Sequence, residues 1–212
     1  MAKVLIIYAT SEGQTAKIAG VLAETIRAQG LRVDSQAVED PAPDLAAYDA
    51  VMLGASVHVG QHSAAMQAFI RQHQTQLQQC IGAFFSVSLN AASPLEAKQQ
   101  EARSCAQAFL HEAGWQPRYL LTFAGALRYS KYSFFKRLLM RLISSKQGNP
   151  SDSGRDYEYT DWQAVRDFAE TFAAIVRNDT DPGIEKLEPT QASTDIMHSR
   201  KVSPAQHFAG LK

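Results

Sequence analysis

The sequence predicts an α/β domain in which helices cover both faces of a five-stranded parallel sheet. Its 212 residues suffice for one domain, and 45% of them are hydrophobic, which is enough to fill one large core. Runs of aliphatic residues without polar interruption recur along the chain, as in strands that are buried on both faces. Apolar residues at helical spacing separate these runs. Such an alternation is typical of right-handed, doubly wound βαβ units.

The first half of the chain supplies three strands and one long helix. Val4–Tyr8 predicts the first strand, and the spacing of apolar residues predicts a helix from Gln14 to Gln29. Gly30 then ends this helix. Residues 31–38 and 50–56 predict the second and third strands.

The second half continues the alternation up to a last helix. The predicted elements are a helix over 62–79, a strand over 81–89, a helix over 94–112 closed by Gly114, a strand over 119–126, and a helix from Thr160 to about Val176. The domain is therefore expected to span residues 3–176. Two segments do not fit the pattern, an insert at 128–158 and a tail at 178–212. The tail has few aliphatic residues and is expected to be flexible.

Composition and charge exclude several classes of protein. Lys plus Arg and Asp plus Glu each number 21, so a whole-chain binder of duplex nucleic acid is not expected. Cys80 and Cys105 form no C-x-x-C motif and indicate small core residues in a reducing cytosol. We expect neither a signal peptide nor a spanning helix, because the apolar runs are too short.

Two local patterns resemble other sites but do not complete them. Gly54-Ala-Ser56-Val-His58 has His where a nucleophile elbow needs Gly, so no hydrolase is predicted. His58 and His62 lie four residues apart without an evident third ligand, so no metal site is expected. A capping or ring-edge role is the preferred interpretation of these histidines. Trp115 and Trp162 are expected to be packing residues.

The loop between the first strand and the first helix is the strongest candidate binding site. Residues 10–15, T-S-E-G-Q-T, are rich in hydroxyl groups, contain one Gly and lead into a helix N-terminus, where free N–H groups bind phosphate. The loop matches neither a dinucleotide fingerprint nor a P-loop. It contains no Lys, which favours a monophosphate held by neutral donors. An ordinary helix cap at Thr10 or Ser11 is the alternative explanation.

Several stretches together resemble the flavodoxin family, whose cofactor is FMN. They are Y-A-T-S-E-G-Q-T (8–15), G-A-S-V-H-V-G (54–60), F-F-S-V-S-L-N (84–90), A-G-A-L-R-Y-S-K-Y (124–132) and Y-T-D-W (159–162). Within that family the chain looks most like the bacterial menaquinone-dependent protoporphyrinogen IX dehydrogenases. The resemblance spans about residues 3–176 and implies a flavodoxin-like sheet with strand order 2-1-3-4-5.

The resemblance also implies where the cofactor would be bound. The FMN phosphate would be wrapped by Thr10, Ser11, Gly13, Gln14 and Thr15, with the side chain of Glu12 pointing to solvent. The isoalloxazine ring would be edged by Ala55, Ser56 and Val57 and by Ser86, Val87, Ser88, Leu89 and Asn90. Ala124, Gly125 and Ala126 would end the fifth strand beside it. The resemblance assigns no proton-transfer residue securely.

The insert is basic and amphipathic. Residues 128–147 contain no Asp or Glu, and their basic side chains are Arg128, Lys131, Lys136, Arg137, Arg141 and Lys146. Apolar residues 134, 135, 138, 139 and 142 share one helical face, which suits an anionic membrane surface. Arg128 or Lys131 could pair with substrate propionates, and Arg128, Tyr129 and the basic insert are expected to hold substrate or membrane. Packing of this face on the domain or on a twin subunit, and RNA binding, remain alternatives.

These observations together lead us to expect an FMN-dependent enzyme that oxidises protoporphyrinogen IX and passes electrons to a membrane quinone in heme biosynthesis. A neutral net charge and ring loops without aromatic residues argue against a plain electron carrier. The protein is expected in the cytoplasm, peripherally associated with the inner face of the cell membrane. The alternatives are an NAD(P)H-dependent quinone reductase, a flavodoxin-type carrier and a flavin-free interaction domain.

Overall fold

A computed structural model of the protein describes residues 1–127 and 157–180. Five parallel strands form one sheet in the order β2-β1-β3-β4-β5, as the resemblance implies. The strands are β1 (Lys3–Ala9), β2 (Arg32–Ala37), β3 (Ala50–Ser56), β4 (Ile81–Ser88) and β5 (Tyr119–Ala124). The helices are α1 (Gln14–Ala28), α2 (Ala64–Gln72), α3 (Gln74–Leu77), α4 (Glu96–Ala113) and α5 (Trp162–Thr180).

The sheet separates two apolar cores. On one face, Ile18 and Leu22 of α1 and Phe172 of α5 pack against the sheet. On the other face, Ile70 of α2 and Phe109 of α4 do the same. β1, β3 and β4 are buried almost throughout because both of their faces are covered. The predicted two-sided arrangement of the helices is therefore confirmed.

Most predicted elements differ from the structure by one or two residues in their bounds, and the largest differences lie in two helices. The helix expected over 62–79 starts at Ala64, after the Ser63 cap, and is divided at His73, where φ is −109° and ψ is 16°. The strand expected to end at Ala126 ends at Ala124. The last helix begins at Trp162 and continues to Thr180, beyond the expected end at Val176.

A short antiparallel ribbon was not predicted. β6 (Ala126–Leu127) pairs with β7 (Tyr157–Glu158), and Tyr159 N–H also donates to Gly125 O at 3.1 Å. The ribbon joins the end of β5 to the start of α5 and thus lies at the carboxyl edge of the sheet. The predicted amphipathic helix and the predicted flexible tail fall mainly outside the described residues.

Candidate functional site

The strand register brings the predicted site residues to one edge of the sheet. Ala9 of β1 lies beside Ala55 of β3, which lies beside Ser86 of β4. Ser88 lies beside Ala124 of β5. The loop at 10–15, the segment 55–57, residues 86–90 and residues 124–126 therefore converge at the carboxyl ends of the strands, where open parallel sheets bind their ligands.

The loop before α1 leaves the N-terminus of the helix without a side-chain cap. Gly13 is the N-cap residue, with φ of +89°, a left-handed conformation that suits glycine. Its N–H donates to Thr10 Oγ1 at 2.9 Å, so Thr10 closes the loop instead of capping the helix. The alternative of an ordinary cap at Thr10 or Ser11 is therefore wrong. The amides of the first turn and the positive end of the helix dipole remain available for an anion.

Two buried polar atoms beside this loop lack hydrogen-bond partners among the described residues. Thr15 is 0% exposed and its Oγ1 has no partner, and Gln14 is 5% exposed with an unpartnered Oε1. A buried polar atom without a partner costs about 1–3 kcal/mol. Such atoms are typical of a place where a bound group completes the hydrogen bonding. Together with the uncapped helix end, they fit the phosphate and ribityl chain of FMN.

Ser11 and Glu12 lie at the outer side of the same loop. Ser11 is exposed, whereas Glu12 is partly buried, although its side chain was expected to point to solvent. No acidic residue lies in the first turn of α1. Glu12, directly before the N-cap residue Gly13, nevertheless places a carboxylate next to this helix end, where negative charge opposes anion binding.

Thr160 connects the phosphate loop to the end of β5. Gln14 Nε2 donates to Thr160 Oγ1 at 2.8 Å, and Thr160 Oγ1 donates to Ala124 O at 2.8 Å. A second connection joins Lys17 of α1 to Glu158, whose Nζ–Oε2 distance is 2.9 Å. The pKa of the Glu158 carboxyl is lowered, chiefly by the hydrogen bond from Lys17. Sequence reasoning quoted Y-T-D-W (159–162) but did not place Thr160 in the site.

The loop after β3 is a tight hairpin fixed to β4. Val57 N–H donates to Val87 O at 2.8 Å, and His58 and Gln61 pair through both backbone groups. Val59 and Gly60 at the tip have φ of +50° and +78°. The side chain of Val59 is exposed at this tip, beside the carboxyl edge.

The carboxyl end of β4 forms the opposite part of the edge. Ser86, Val87 and Ser88 are buried, whereas Leu89 and Asn90 are exposed at the start of a 3-10 turn. Ser88 O accepts the N–H of Gly125 at 3.1 Å, and this hydrogen bond holds the turn after β5 beside β4. A Cβ at Gly125 would lie 3.4 Å from Val87 Cγ1 and 3.7 Å from the carbonyl carbon of Ser88, which is ordinary van der Waals contact with β4.

His62 contacts Ser86 of β4 and packs against α4. Its Nε2 lies 2.9 Å from Ser86 Oγ, and its ring centroid lies 4.6 Å from that of Phe109. Burial lowers the pKa of His62 to about 4, so the ring is neutral at physiological pH. Cys105 Sγ lies 3.9 Å from His62 Nδ1 and donates to Gly60 O at 3.5 Å. His62 is therefore a packed, hydrogen-bonded side chain, and burial raises the pKa of the Cys105 thiol.

The predicted substrate or membrane residues lie outside the described part of the chain. They are Arg128, Tyr129, Lys131, Lys136, Arg137 and Arg141. β6 ends at Leu127 and β7 begins at Tyr157, so the segment that carries them leaves and re-enters the described structure at the carboxyl edge. Among residues 1–127 and 157–180, every helix is too short or too polar to cross a membrane.

Comparison with known proteins identifies the family. Residues 5–154 match the family model described as Flavodoxin domain. A curated protein of Escherichia coli strain K12 named protoporphyrinogen IX dehydrogenase (quinone) is 35% identical over 179 residues, which cover 84% of this chain and 98% of that protein. A Leishmania major protein of the same name is 37% identical over 175 residues, which cover 82% of this chain and 75% of that protein.

Solved structures agree with these sequence matches at the level of the fold. Oxidised flavodoxin 1 from Bacillus cereus aligns with a TM-score of 0.51 at 19% identity, covering 82% of this chain and 98% of that protein. The resemblance stated from the sequence is thereby confirmed. The chain belongs to the flavodoxin family and, within it, to the group of the protoporphyrinogen IX dehydrogenases.

Proposed function

We propose that this protein is an FMN-dependent oxidoreductase that converts protoporphyrinogen IX to protoporphyrin IX and passes the electrons to a quinone. The observation that carries the proposal is the 35% identity over 98% of the length of a dehydrogenase of that name. The enzyme would act in heme biosynthesis, where this oxidation yields the porphyrin.

FMN fits the donor set at the carboxyl edge. The loop residues Thr10, Ser11, Gly13, Gln14 and Thr15 bind its phosphate through hydroxyl groups and helix amides, without a basic side chain. Residues 55–57, 86–90 and 124–126 surround the ring. Bound there, FMN would supply the hydride-transfer chemistry between the substrate and the acceptor. The protein's own residues bind and orient the two partners.

The exposed apolar side chains at this edge suit a large, flat substrate. Val59, Leu89 and Leu95 lie in the connections that follow β3 and β4, and Tyr159 follows β7. The connections at 57–61 and 89–93 contain no Phe, Tyr or Trp that would cover the ring. Because these two connections place no aromatic side chain over the ring, they leave room for a tetrapyrrole or a quinone, and the apolar rim provides contact area.

The basic segment is proposed to contact the substrate or the membrane. Arg128 or Lys131 would pair with the propionates of the porphyrinogen, and Tyr129 beside them would contact substrate or membrane. Lys136, Arg137 and Arg141 would bind anionic lipid, which would hold the enzyme at the inner face of the membrane, close to its quinone. Support for this comes from the charge pattern and from the position of β6 and β7 beside the candidate site.

An electron carrier is the second candidate, favoured by the structural similarity to flavodoxins. The neutral net charge of this chain argues against a carrier function, since electron carriers of this family are typically acidic. A carrier would take up electrons in separate one-electron steps in a redox titration. A quinone reductase would instead be reduced rapidly on mixing with NAD(P)H.

The test is steady-state oxidation of protoporphyrinogen IX without oxygen, with a quinone as acceptor. We expect protoporphyrin fluorescence to appear at a rate that depends on both FMN and quinone. Rapid reduction by NAD(P)H, together with porphyrin formation no faster than in the enzyme-free control, would contradict the proposal.

Deletion of residues 131–147 tests the role of the basic segment separately. We expect the deletion variant to retain FMN, because the described cofactor site lies outside the deleted residues, but to lose most porphyrinogen turnover. Wild-type turnover by this variant would contradict the assigned role.

A further inference from the structure

Thr160 lies between two parts of the cofactor site that are far apart in sequence. Gln14 begins α1 directly after β1 and its loop, and Ala124 ends β5, which β3 and β4 separate from β1 in the sheet. Both are hydrogen-bonded to the same hydroxyl group, each at 2.8 Å. Gln14 and Thr160 are buried, so water does not compete freely for these hydrogen bonds.

The number of available hydrogens fixes the direction of this chain of hydrogen bonds. A threonine hydroxyl has one hydrogen, and the Ala124 carbonyl can only accept. Thr160 therefore donates to Ala124 O and must accept from Gln14, which presents Nε2 to it. The amide of Gln14 cannot flip without losing this bond. Its Oε1 thus keeps a fixed position with no partner among the described residues.

The segment around Thr160 is itself held against α1. Glu158 accepts hydrogen bonds from Lys17 Nζ at 2.9 Å and from Trp162 Nε1 at 2.7 Å. Asp161 Oδ1 accepts the N–H groups of Gln163 and Ala164, and so caps α5 directly after Thr160. Contacts on both sides therefore fix the backbone from which Thr160 reaches Gln14.

We propose that Thr160 is a positioning residue for the FMN phosphate, acting through Gln14. By orienting the Gln14 amide, it holds the first turn of α1 in the geometry in which the helix amides and Thr15 Oγ1 meet the phosphate. Without the hydroxyl, Gln14 Nε2 loses this hydrogen bond while Oε1 still has no partner among the described residues, so nothing fixes the orientation of the amide and the loop is free to rearrange. The inference rests on FMN binding and not on the identity of the substrate.

The experiment compares the dissociation constants of FMN and riboflavin, which differ by the phosphate, for the full-length protein. We expect Thr160→Val to bind FMN about tenfold more weakly. Riboflavin affinity should stay within about twofold, because riboflavin has no phosphate for the helix amides to bind. Thr160→Ser keeps the hydroxyl and should restore the wild-type ratio of the two constants.

A general loss of stability would weaken both ligands alike and leave their ratio unchanged, and this outcome would overturn the proposal. Gln14→Leu provides the second variant should Thr160→Val fail to fold. Gln14→Leu should also weaken FMN binding but not riboflavin binding. In the double variant, Thr160→Val should cause no further loss of FMN affinity. A wild-type ratio in Gln14→Leu, or additive losses in the double variant, would overturn the proposal. Failure of the wild-type protein to bind FMN would instead contradict the cofactor assignment.

Discussion

The Thr15 hydroxyl is expected to lower the stability of the ligand-free protein and to raise its affinity for FMN. Its hydroxyl is fully buried, yet no described residue forms a hydrogen bond with it. In the protein without ligand this arrangement is unfavourable, because water has been removed and nothing replaces it. A phosphate oxygen would supply the missing partner, and the hydroxyl would then contribute to affinity.

We therefore expect Thr15→Val to change stability and binding in opposite directions. The free energy of unfolding of the FMN-free protein should rise by about 1 kcal/mol, and the dissociation constant of FMN should rise about tenfold. Chemical denaturation and fluorescence titration measure the two quantities. Thr15→Ser is the control that keeps the hydroxyl, and a Val variant that binds FMN as tightly as wild type would contradict the assignment.

The buried ring of His62 predicts a specific pH dependence of stability. Burial lowers the pKa of this ring from 6.5 to about 4 in the folded state. Above pH 6.5 it is neutral in both states, so its titration contributes nothing. As pH falls from 6.5 to about 4, the unfolded chain binds a proton that the folded chain does not, and stability falls by up to about 3 kcal/mol.

His62→Gln should remove this part of the pH dependence, since glutamine does not titrate. Denaturant titrations at a series of pH values give the free energy of unfolding of both proteins. We expect the difference, wild type minus variant, to decrease steadily from pH 6.5 to pH 4. If the free energies of unfolding of the two proteins ran parallel from pH 6.5 to pH 4, burial would not lower the pKa of His62, and this would contradict the structure.

At the scale of the elements, the ring of Phe85 on β4 lies over Gly54 on β3 and leaves no space for a side chain at that position. A Cβ at Gly54 would fall within the ring of Phe85, which is fully buried between the sheet and the helices α1 and α5. Gly54 leaves this space to Phe85, whose ring also packs near that of Phe123 at 6.0 Å. The two strands form the middle of the candidate site.

We expect Gly54→Ala to destabilise the protein by about 3 kcal/mol, because Phe85 has no free volume to enter. Gly20→Ala is the matched control. Gly20 lies inside α1 and an added Cβ meets no atom within 4 Å, so this change should stabilise by about 0.5–1 kcal/mol. Thermal or chemical unfolding of both variants measures these effects, and equal stabilities would contradict the packing.

The elements that sequence reasoning predicted well are those with a strong local signal. α1 begins at Gln14 and ends near Gly30 as predicted, because its apolar spacing and its glycine are local features. The sequence around His73 contains no Gly or Pro that would predict the break in the helix. In the structure, the ring of His73 packs against that of Phe69. The ribbon of β6 and β7 joins residues about 30 positions apart, and strands of two residues show no periodicity.

The candidate site was predictable for a different reason. Loops that follow parallel strands must meet at one edge, so the predicted loops converge once the strands are recognised. Thr160 was missed as part of the site, and the contact of His62 with Ser86 was not predicted, because Gln14 and Ser86 are remote in sequence from these residues. Such pairs depend on tertiary packing, and no local pattern marks them.

At the scale of the whole molecule, net charge and charge distribution lead to different expectations. The chain is neutral overall, yet residues 128–147 carry six basic side chains and no acidic one. A neutral protein is not attracted to a membrane over long distances, but a local basic patch binds anionic lipid at short range. The proposed membrane contact thus depends on this segment and not on the rest of the chain.

We expect the protein to bind vesicles that contain anionic lipid, and binding should decrease with salt. Replacement of Lys136, Arg137 and Arg141 by Gln should weaken binding by about 3 kcal/mol, or about a hundredfold. Replacement of Lys98, Arg166 and Arg177 is the charge-matched control elsewhere on the chain. Vesicle co-sedimentation measures both sets, and equal losses would contradict a local lipid contact.

The account depends most directly on the binding of FMN through its phosphate at the loop before α1. The measurement is a titration of FMN and riboflavin into the pure wild-type protein, followed by visible absorption and flavin fluorescence. We predict saturation at one FMN per chain, with riboflavin bound far more weakly because it cannot use the helix amides and Thr15. Failure to retain FMN even in excess, or equal affinity for the two flavins, would contradict the account.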